Sequence, residues 1–182
     1  HSSVMIYLLP PIIKRFKELF PDCQLQILNR SRDEMLAMLD NGEADFGITS
    51  LSVIPAHIEY KVFSRFNRIL IATKNHPLSK RPEVNLEDIA QFPLILPNQE
   101  STTRKVIDQL FERQGLKSNI TMEVVGRTAI KTYVEMNLGI SIINEYYVTP
   151  EDKKKLFVTN LSRYFGVAET GIITRRGRLL SH

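Results

Sequence analysis

The chain has 182 residues, and its 43% hydrophobic and 24% charged residues are ordinary values for a globular protein with a substantial core. Its net charge of +4 is too small to indicate nucleic-acid binding by itself, and no apolar run reaches the roughly 18 residues of a membrane helix. The single cysteine, Cys23, excludes an internal disulfide and a cysteine-based metal site. The chain begins without Met and without a signal-peptide pattern, so we expect a fragment or processed chain. The lack of disulfides fits a reducing cytoplasm, where we expect the protein to be.

The first predicted element is a helix with one apolar face. Its stripe consists of Leu9, Ile12, Ile13, Phe16 and Leu19. Proline is easily accommodated only in the first turn of a helix, so the Pro10–Pro11 pair favours a start near Pro10. An earlier start at Ser3, with a kink at the prolines, is the alternative. Pro21 ends the helix in either case.

A strand, a helix and a second strand are predicted next. Gln24–Leu28 alternates and is rich in β-formers. Ser31 and Glu34 have the spacing of a capping box, and Gly42 stands where a helix ends in a left-handed residue. Ala44–Thr49 is a short apolar strand. This order predicts a βαβ unit with parallel strands.

The α/β pattern then returns, without a residue-level repeat. A long apolar strand lies within Tyr60–Lys74, and two extended runs close the chain at Lys155–Leu161 and Val167–Arg176. Between them we predict strand Phe92–Asn98, helix Thr102–Gln114 stopped by Gly115, strand Ile120–Gly126, helix Thr128–Asn137 closed by Gly139, and strand Ile140–Asn144. Strands that leave one lobe and return from another predict a discontinuous two-lobed fold.

Hydroxyl residues recur where strands end and helices begin. They are Ser2, Ser3, Ser31, Thr49, Ser50, Ser101, Thr102, Thr103 and Thr128. In open α/β sheets, ligands gather beyond the carboxyl ends of strands and beside helix N-termini. Hydroxyl and backbone N–H groups can hold an anion there without burying a protein charge. The alternative is that these residues are only helix caps. For the set as a whole we favour a ligand.

Two cations stand in the first turn of the predicted helix at Thr102. Arg104 and Lys105 oppose the helix dipole, at a cost of about 0.3–1 kcal/mol each when exposed. A bound anion at this end would reverse the sign of that interaction. The alternative is an ion pair between Arg104 and Asp108 one turn on.

Catalytic and metal-binding signals are weak. The four histidines are scattered, and His76 is interpreted as a turn residue. The sequence contains no nucleophile elbow, phosphate-binding loop or dinucleotide fingerprint. We therefore expect no enzyme, no catalytic residue, no metal site and no cofactor.

Five stretches of the chain have a family resemblance. They are, in order, LLPPIIKRFKELFPDCQLQI, LDNGEADFGI, RILIATKNHPLS, STTRKVIDQLFERQGL and IKTYVEMNLGISII. In sequence and spacing they resemble the effector-binding domain of LysR-type transcriptional regulators, from Ser3 to about Leu180. The resemblance implies an α/β, two-lobed type II periplasmic-binding-protein-like fold, each lobe a mixed sheet flanked by helices and joined by two crossover strands. Lobe I would be residues 1–73 and 172–182, and lobe II residues 74–171.

The resemblance also implies a ligand site and a ligand class. The family's polar contacts correspond to Ser3, Thr49 and Thr102, with Ser31, Ser101, Thr128 and Arg127 as further candidates. A small anionic effector, such as a sulfur metabolite or inorganic anion, would bind between the lobes. IKTYV, with Thr49 and Thr102, resembles regulators of sulfur metabolism, and QESTTRKVID resembles regulators of carbon fixation. Val4 stands where the sulfur subgroup has a polar side chain, which argues against sulfate itself.

Partners follow from the same resemblance. The family's winged helix-turn-helix DNA-binding domain and linker helix are absent here, so DNA would be bound only through that absent domain. The last helix of the family after GRLLS is also missing, so we expect a shortened C-terminus. A homo-oligomer, dimer or tetramer, would use the exposed apolar parts of Pro11–Phe20, and no membrane is involved. The alternatives are a solute-binding protein of a transport system, which would need an export signal or lipid anchor, and a small α/β enzyme.

Overall fold

The chain forms two compact units of mixed α/β structure. The computed structural model describes residues 8–50 and 53–177, apart from the side chain of Arg127. Unit 1 comprises His1–Arg65 and Glu169–His182, and unit 2 comprises Phe66–Ala168. The predicted lobe boundaries, after residues 73 and 171, lie further along the chain than the observed unit boundaries, which follow residues 65 and 168.

The helices and strands follow one another in an α/β order. Over the described residues the helices are α1 (Leu9–Leu19), α2 (Arg32–Asp40), α3 (Leu86–Ala90), α4 (Thr102–Arg113), α5 (Arg127–Glu135), α6 (Pro150–Lys155) and α7 (Ser162–Phe165). The strands in the same ranges are β1 (Gly47–Thr49), β2 (Ile58–Thr73), β3 (Leu94–Pro97), β4 (Ile120–Val124), β5 (Ser141–Asn144), β6 (Leu156–Asn160) and β7 (Val167–Arg175). Short 3-10 helices occupy Pro77–Lys80 and Glu145–Tyr147.

Helix α1 in unit 1 starts where the prolines allow. It begins at Leu9, so that Pro10 and Pro11 lie in the first turn, as the simpler prediction required. The alternative start at Ser3 lies outside the described residues. No residue of the helix is buried. It ends at Leu19, and the N–H of Phe20 still donates to the carbonyl of Phe16 at 2.8 Å.

Helix α2 has the predicted capping box and terminator. The hydroxyl of Ser31 accepts the N–H of Glu34, and the carboxylate of Glu34 accepts the N–H of Ser31. Gly42 follows the C-cap residue with a φ of +76°, which is the left-handed conformation expected of a C′ glycine.

The predicted strand Gln24–Leu28 is wrong. These residues have no regular structure, and their apolar side chains are exposed, with Leu25 at 42% and Ile27 at 45%. Alternation defines a strand only when a neighbouring strand supplies hydrogen bonds, and no described strand pairs with this segment. The predicted parallel βαβ pairing is therefore also wrong. Instead β1 pairs antiparallel with β7, with Thr49 opposite Gly171.

Several strands of unit 2 end at one edge. Strands β3 and β4 are parallel, and a parallel bridge joins Leu94 to Ile140 just before β5. The strands β3, β4 and β5 therefore end on the same side, which we call the carboxyl edge of unit 2. Strand β2 runs antiparallel to β5, with Arg68 opposite Asn144, so β2 enters unit 2 at this edge. Strand β6 pairs antiparallel with β2.

The core of unit 2 lies between this sheet and its helices. Leu70 and Ile142 from β2 and β5 pack with Ile107 and Phe111 from α4. Leu161, which precedes α7, belongs to the same buried cluster. The apolar face predicted for the helix at Thr102 is thus the face that packs on the sheet.

The end of α5 differs from the prediction. Asn137, not Gly139, has the positive φ (59°) that follows the helix, because Asn also tolerates the left-handed region. Gly139 instead permits a close approach between strands. A Cβ atom there would lie 2.6 Å from the carbonyl oxygen of Pro93, which accepts the N–H of Ile140.

His76 is a buried cap in the turn where the sequence placed it. Its Nδ1 accepts the N–H of Leu78 at 3.3 Å, and its ring packs edge-on against Phe92 with centroids 4.5 Å apart. Burial lowers the pKa of His76 below its ordinary value of 6.5. Protonation therefore favours the unfolded chain, so this contribution to stability is complete above about pH 6.5 and is lost as the pH falls through the lowered pKa.

We expect His76→Asn to flatten the acid side of the stability profile. An Asn side chain can still accept the N–H of Leu78 as a cap, but it does not titrate. Urea unfolding between about pH 7.5 and pH 5 should show a smaller loss of the free energy of unfolding in the variant than in the wild type. Parallel profiles would contradict a titrating role for His76.

Candidate functional site

Helices α4 and α5 begin at the carboxyl edge of unit 2 without a side-chain cap. Ser101 precedes α4 and makes no capping hydrogen bond, and Gly126 precedes α5 with a φ of +103° and no side chain to offer. By contrast, Ser31, Asn85 and Thr149 form complete capping boxes at α2, α3 and α6. The first-turn N–H groups of α4 and α5 therefore point out of the carboxyl edge, where the helix dipoles are positive. This arrangement suits an anion.

The hydroxyls predicted for unit 2 lie at this edge. Thr102 and Thr128 are in the first turns of α4 and α5, and both are exposed. The Oγ of Ser101 is buried and has no hydrogen-bond partner among the described residues. A buried hydroxyl normally has a partner, so an orphaned one at a helix start is a place to look for a ligand or a water molecule. The structure thus brings Ser101, Thr102 and Thr128 to one edge of unit 2.

Arg104 is tolerated in the first turn of α4 because protein groups balance its positive charge. Its Nε donates to both carboxylate oxygens of Asp108 at 2.9 Å, and its Nη1 donates to Glu123 at 2.7 Å and to the carbonyl of Pro97 at 3.2 Å. Burial alone would lower the pKa of Arg104, but its hydrogen bonds to Glu123 and Asp108 outweigh burial and raise it. The ion-pair interpretation is confirmed, and the charge of Arg104 is neutralised by protein groups.

A second arginine at this edge was missed by sequence reasoning. Arg68 is only 8% exposed, and its guanidinium carbon lies 5.5 Å from the ring centroid of Phe165. The Nε of Arg68 and the Oδ1 of Asn144 are both buried without a hydrogen-bond partner among the described residues. The available signal was an arginine at the start of the apolar run RILIAT, where a strand becomes buried.

Unit 1 has its own hydroxyl cluster at the end of β1. Thr49 is 2% exposed, and its Oγ1 has no hydrogen-bond partner in the part of the chain that the structure describes. The next residue, Ser50, donates its hydroxyl to the carbonyl of Glu169 and lies 3.3 Å from the hydroxyl of Thr170. Thr170 is also buried, and no sequence pattern singles it out.

Of the two remaining candidate hydroxyls, Ser31 lies within the described residues and Ser3 lies outside them. The hydroxyl of Ser31 caps α2, and its hydrogen bond to Glu34 lowers the pKa of that carboxyl. A hydroxyl that accepts at a cap can still donate its own proton. Ser31 borders an open surface depression of about 360 Å³ with Asn29, Arg30 and Glu34. Ser3 lies outside the described residues, so the structure does not place it.

The part of the chain that the structure describes contains neither a cluster of metal ligands nor a membrane-spanning helix. Within 8–50 and 53–177, no group of three or more His, Cys, Asp or Glu side chains could hold a metal ion. Among the helices of the same ranges, none has both the length and the apolar character needed to cross a membrane.

Comparison with known sequences shows the family of the chain. Residues 1–182 match the family described as the LysR substrate binding domain. The HTH-type transcriptional regulator cbl of Escherichia coli is 35% identical over 95% of this chain and 55% of its own length. The HTH-type transcriptional regulator SsuR of Burkholderia cenocepacia is 31% identical over 96% of this chain and 56% of its own length. The chain therefore belongs to the LysR substrate-binding domain family and spans about half the length of these relatives.

Solved structures show the same fold. The cofactor-binding domain of the Cbl transcriptional regulator superposes with a TM-score of 0.85 and 31% identity, covering 99% of this chain and 79% of that chain. The regulatory domain of CcmR from Synechocystis PCC6803, solved in complex with 2-PG, has a TM-score of 0.81 and 20% identity, covering 96% and 85%. The predicted α/β fold class of LysR-type effector-binding domains is confirmed, and so is the resemblance drawn from the motifs.

The hydrogen bonds of Arg104 to Asp108, Glu123 and Pro97 lead to a prediction about stability. Arg104→Met keeps the apolar stem but removes every hydrogen bond from the guanidinium to α4, β3 and β4. Asp108 and Glu123 are 43% and 42% exposed, so they stay hydrated when their partner is lost. We expect the free energy of unfolding in urea to fall by about 1–2 kcal/mol.

Lys105→Met is the matched control for Arg104→Met. Lys105 lies in the same helical turn but is exposed, so its loss should change the free energy of unfolding by less than about 0.5 kcal/mol. Equal stability of Arg104→Met and the wild type would refute the structural role assigned to the guanidinium.

Proposed function

We propose that this domain binds a small anionic metabolite at the carboxyl edge of unit 2 and thereby controls transcription. The observation that carries the proposal is the pair of uncapped helix N-termini, α4 at Ser101 and α5 at Gly126, at the ends of parallel strands. Membership of the LysR substrate-binding domain family supports a ligand-sensing role.

The chemistry of this edge favours an anion over a neutral or cationic ligand. Two helix dipoles present partial positive charge, and their first-turn N–H groups are donors. The hydroxyls of Ser101, Thr102 and Thr128 add donors that can rotate toward the ligand. Hydrogen bonds to a charged oxygen are shorter and stronger than neutral ones, so even a small anion gains affinity from such a set.

The hydroxyls of unit 1 are proposed as a second set of donors. Thr49 supports this because its buried hydroxyl lacks a described partner. Thr170 is buried as well, and its hydroxyl lies 3.3 Å from that of Ser50, the residue after Thr49. Ser31 and Ser3 complete the proposed set from the family resemblance.

The proposed effector is a sulfur metabolite, an inorganic anion or a small organic acid. The motifs resemble regulators of sulfur metabolism and carbon fixation, and cbl and SsuR are among the relatives. A neighbour of the same fold, the CcmR regulatory domain, was solved in complex with 2-PG. Both lines of support point to anions of a few heavy atoms.

The whole protein is proposed to be a cytoplasmic transcriptional regulator that acts as a dimer or tetramer. The relatives are named HTH-type transcriptional regulators, and this chain spans about half of their length. DNA binding would then belong to a helix-turn-helix domain outside this chain. An effector that binds two conformations with different affinity shifts their populations, which is the signal passed to that domain.

The two other classes have less support. A solute-binding protein of a transport system would share the fold, but the curated relatives matched here are transcriptional regulators. An enzyme would need a nucleophile–base arrangement, and the sequence contains none of the motifs that supply one.

A binding panel tests the proposal directly. Isothermal titration calorimetry and thermal shift should be run with sulfate, thiosulfate, O-acetylserine, 2-PG, phosphorylated sugars and small carboxylates at constant ionic strength. At least one anion should raise the melting temperature in a concentration-dependent manner, and neutral analogues of the same size should not. No response to any anion would overturn the proposal.

Thr102→Val should weaken binding of the active anion with little loss of stability. The exposed hydroxyl of Thr102 contributes little to the core, but a hydrogen bond to a charged ligand is worth about 1.5–3 kcal/mol. The expected loss of affinity is therefore about tenfold or more in calorimetry. Thr121→Val is the control, because Thr121 is an exposed threonine near the opposite end of β4. Equal affinity in both variants would remove Thr102 from the site.

A further inference from the structure

We infer that Arg68 is the cationic ligand for the effector's anionic group and that Asn144 positions it. This inference rests on the proposed function, because it assigns a binding residue to the same carboxyl edge of unit 2. It goes beyond the hydroxyl and N–H donors by adding a full positive charge from β2.

The first observation is a buried charge without an acidic partner. Arg68 is 8% exposed, and no carboxylate of the described residues forms an ion pair with it. Its Nε is buried without a hydrogen bond, although burial of an unpaired charge costs more free energy than burial of any other group. Its guanidinium carbon lies 5.5 Å from the ring centroid of Phe165, which supplies no hydrogen-bond acceptor oxygen. A buried guanidinium N–H group without an acceptor indicates a functional role or a bound molecule that supplies the acceptor.

Glu145, which follows Asn144 in the chain, accepts hydrogen bonds from Asn67 and not from Arg68. The carboxylate of Glu145 accepts the backbone N–H of Asn67 at 3.0 Å and its side-chain amide at 3.1 Å. Side chains alternate across a strand, so Asn67 and Arg68 point to opposite faces of β2. Burial lowers the pKa of Arg68, and Tyr146 is the group that opposes this shift, so no acid compensates the guanidinium.

The second observation is an orphaned amide directly opposite. Asn144 is the cross-strand partner of Arg68, and its Oδ1 is also buried without a described hydrogen bond. Its Nδ2 donates to the hydroxyl of Tyr146 at 2.9 Å. That hydroxyl donates its own proton to the hydroxyl of Tyr147 at 3.3 Å, so Oδ1 of Asn144 can accept an N–H group of Arg68. Asn144 thereby orients the guanidinium, whose other N–H groups are left to donate to an anion.

Topology places Arg68 at the edge and on the face where α4 begins. Strand β2 enters unit 2 at the carboxyl edge, and Arg68 is the third residue of unit 2. Leu70, two residues on and therefore on the same face, packs in the core with Ile107 of α4. Phe165 of α7, over which the guanidinium lies, packs against the same core, and α7 contacts α4. Arg68 thus lies on the α4 side of the sheet, at the end where the uncapped N-terminus of α4 opens.

Arg68 and Arg104 differ in how far other protein groups already balance their charge. Arg104 donates hydrogen bonds to Asp108, Glu123 and the carbonyl of Pro97, so its charge is balanced within the protein. Arg68 has no such balance, so it is the cation that an incoming anion neutralises. A planar guanidinium can bind a carboxylate, sulfate or phosphate oxygen pair through two parallel hydrogen bonds. The effector class is therefore an oxyanion with two oxygens on one atom.

The test compares arginine variants in calorimetry with sulfate and 2-PG as probes at constant ionic strength. Arg68→Met should weaken binding at least tenfold, and Arg68→Lys should fall between it and the wild type because lysine keeps the charge but loses the fork. Arg163→Met is the matched control, since Arg163 is a partly exposed arginine of α7 paired with Glu83. Its affinity should equal that of the wild type. Melting temperatures of all variants check that they fold.

Crystals of the wild-type domain soaked in bromide give a readout that needs no variant. An anomalous peak within about 3.5 Å of the Arg68 guanidinium supports the inference. A water molecule that bridges Arg68 and Asn144, with no bromide beside them, overturns it.

The outcomes separate this inference from the proposed function. Binding that is weakened by Thr102→Val but unchanged in Arg68→Met overturns the role of Arg68 and leaves the proposed function standing. Wild-type protein that binds neither probe nor any other anion of the panel overturns the proposed function, and the bromide crystals then decide whether Arg68 is an anion site. Bromide at Arg68 with unaltered probe binding in Arg68→Met would mean an adventitious ion only, which also overturns the inference.

Discussion

The buried guanidinium of Arg104 holds the carboxyl edge of unit 2 together. It ties the carbonyl of Pro97 at the end of β3 to Asp108 within α4 and to Glu123 near the end of β4. Core packing of Ile107 and Phe111 holds the body of α4, and the Arg104 hydrogen bonds fix its first turn against the ends of β3 and β4. A cation that opposes the helix dipole is accepted because two carboxylates and a carbonyl balance it. The N–H groups of the first turn are then left free of any side-chain cap and fixed in direction.

Charge is distributed at this edge so that attraction and structure are carried by different residues. Arg104 is neutralised within the protein and gives rigidity, while the uncapped dipoles, the hydroxyls and Arg68 retain positive potential. Preorganised donors bind an anion without the entropy cost of ordering long exposed side chains. The same separation explains why a net charge of only +4 says little about the ligand, since the relevant field is local.

Sequence reasoning predicted unit 2 better than unit 1, for a physical reason. Strand β3, helix α4 and strand β4 have local signals, with apolar runs, a glycine after each helix and hydroxyls at the starts. Gln24–Leu28 had an equally good alternation, but a strand exists only through a neighbour, and neighbours are not written in local sequence. Asn137 took the place expected for Gly139, because two residue types can adopt the same left-handed turn.

The candidate site was predictable only in part. Hydroxyls at helix starts are visible in the sequence, and the family resemblance ordered them. Ser31 caps α2 together with Glu34, whereas Ser101 makes no capping hydrogen bond although it also stands before a helix, and only the structure distinguishes the two. Thr170 and Arg68 were missed because their partners, Ser50 and Asn144, are far away in sequence and are brought beside them only by strand pairing.

The pairing of β1 with β7 has a consequence for synthesis on the ribosome. Gly47 lies opposite Ile173, so the sheet of unit 1 contains one strand made before unit 2 and one strand made after it. All of unit 2, from Phe66 to Ala168, emerges in between and has its whole sheet available as soon as it leaves the exit tunnel. The inserted unit can therefore fold first, while the half-made sheet of unit 1 waits with unpaired edges for its closing strand. A nascent chain stalled before β7 would expose those edges to chaperones or to aggregation.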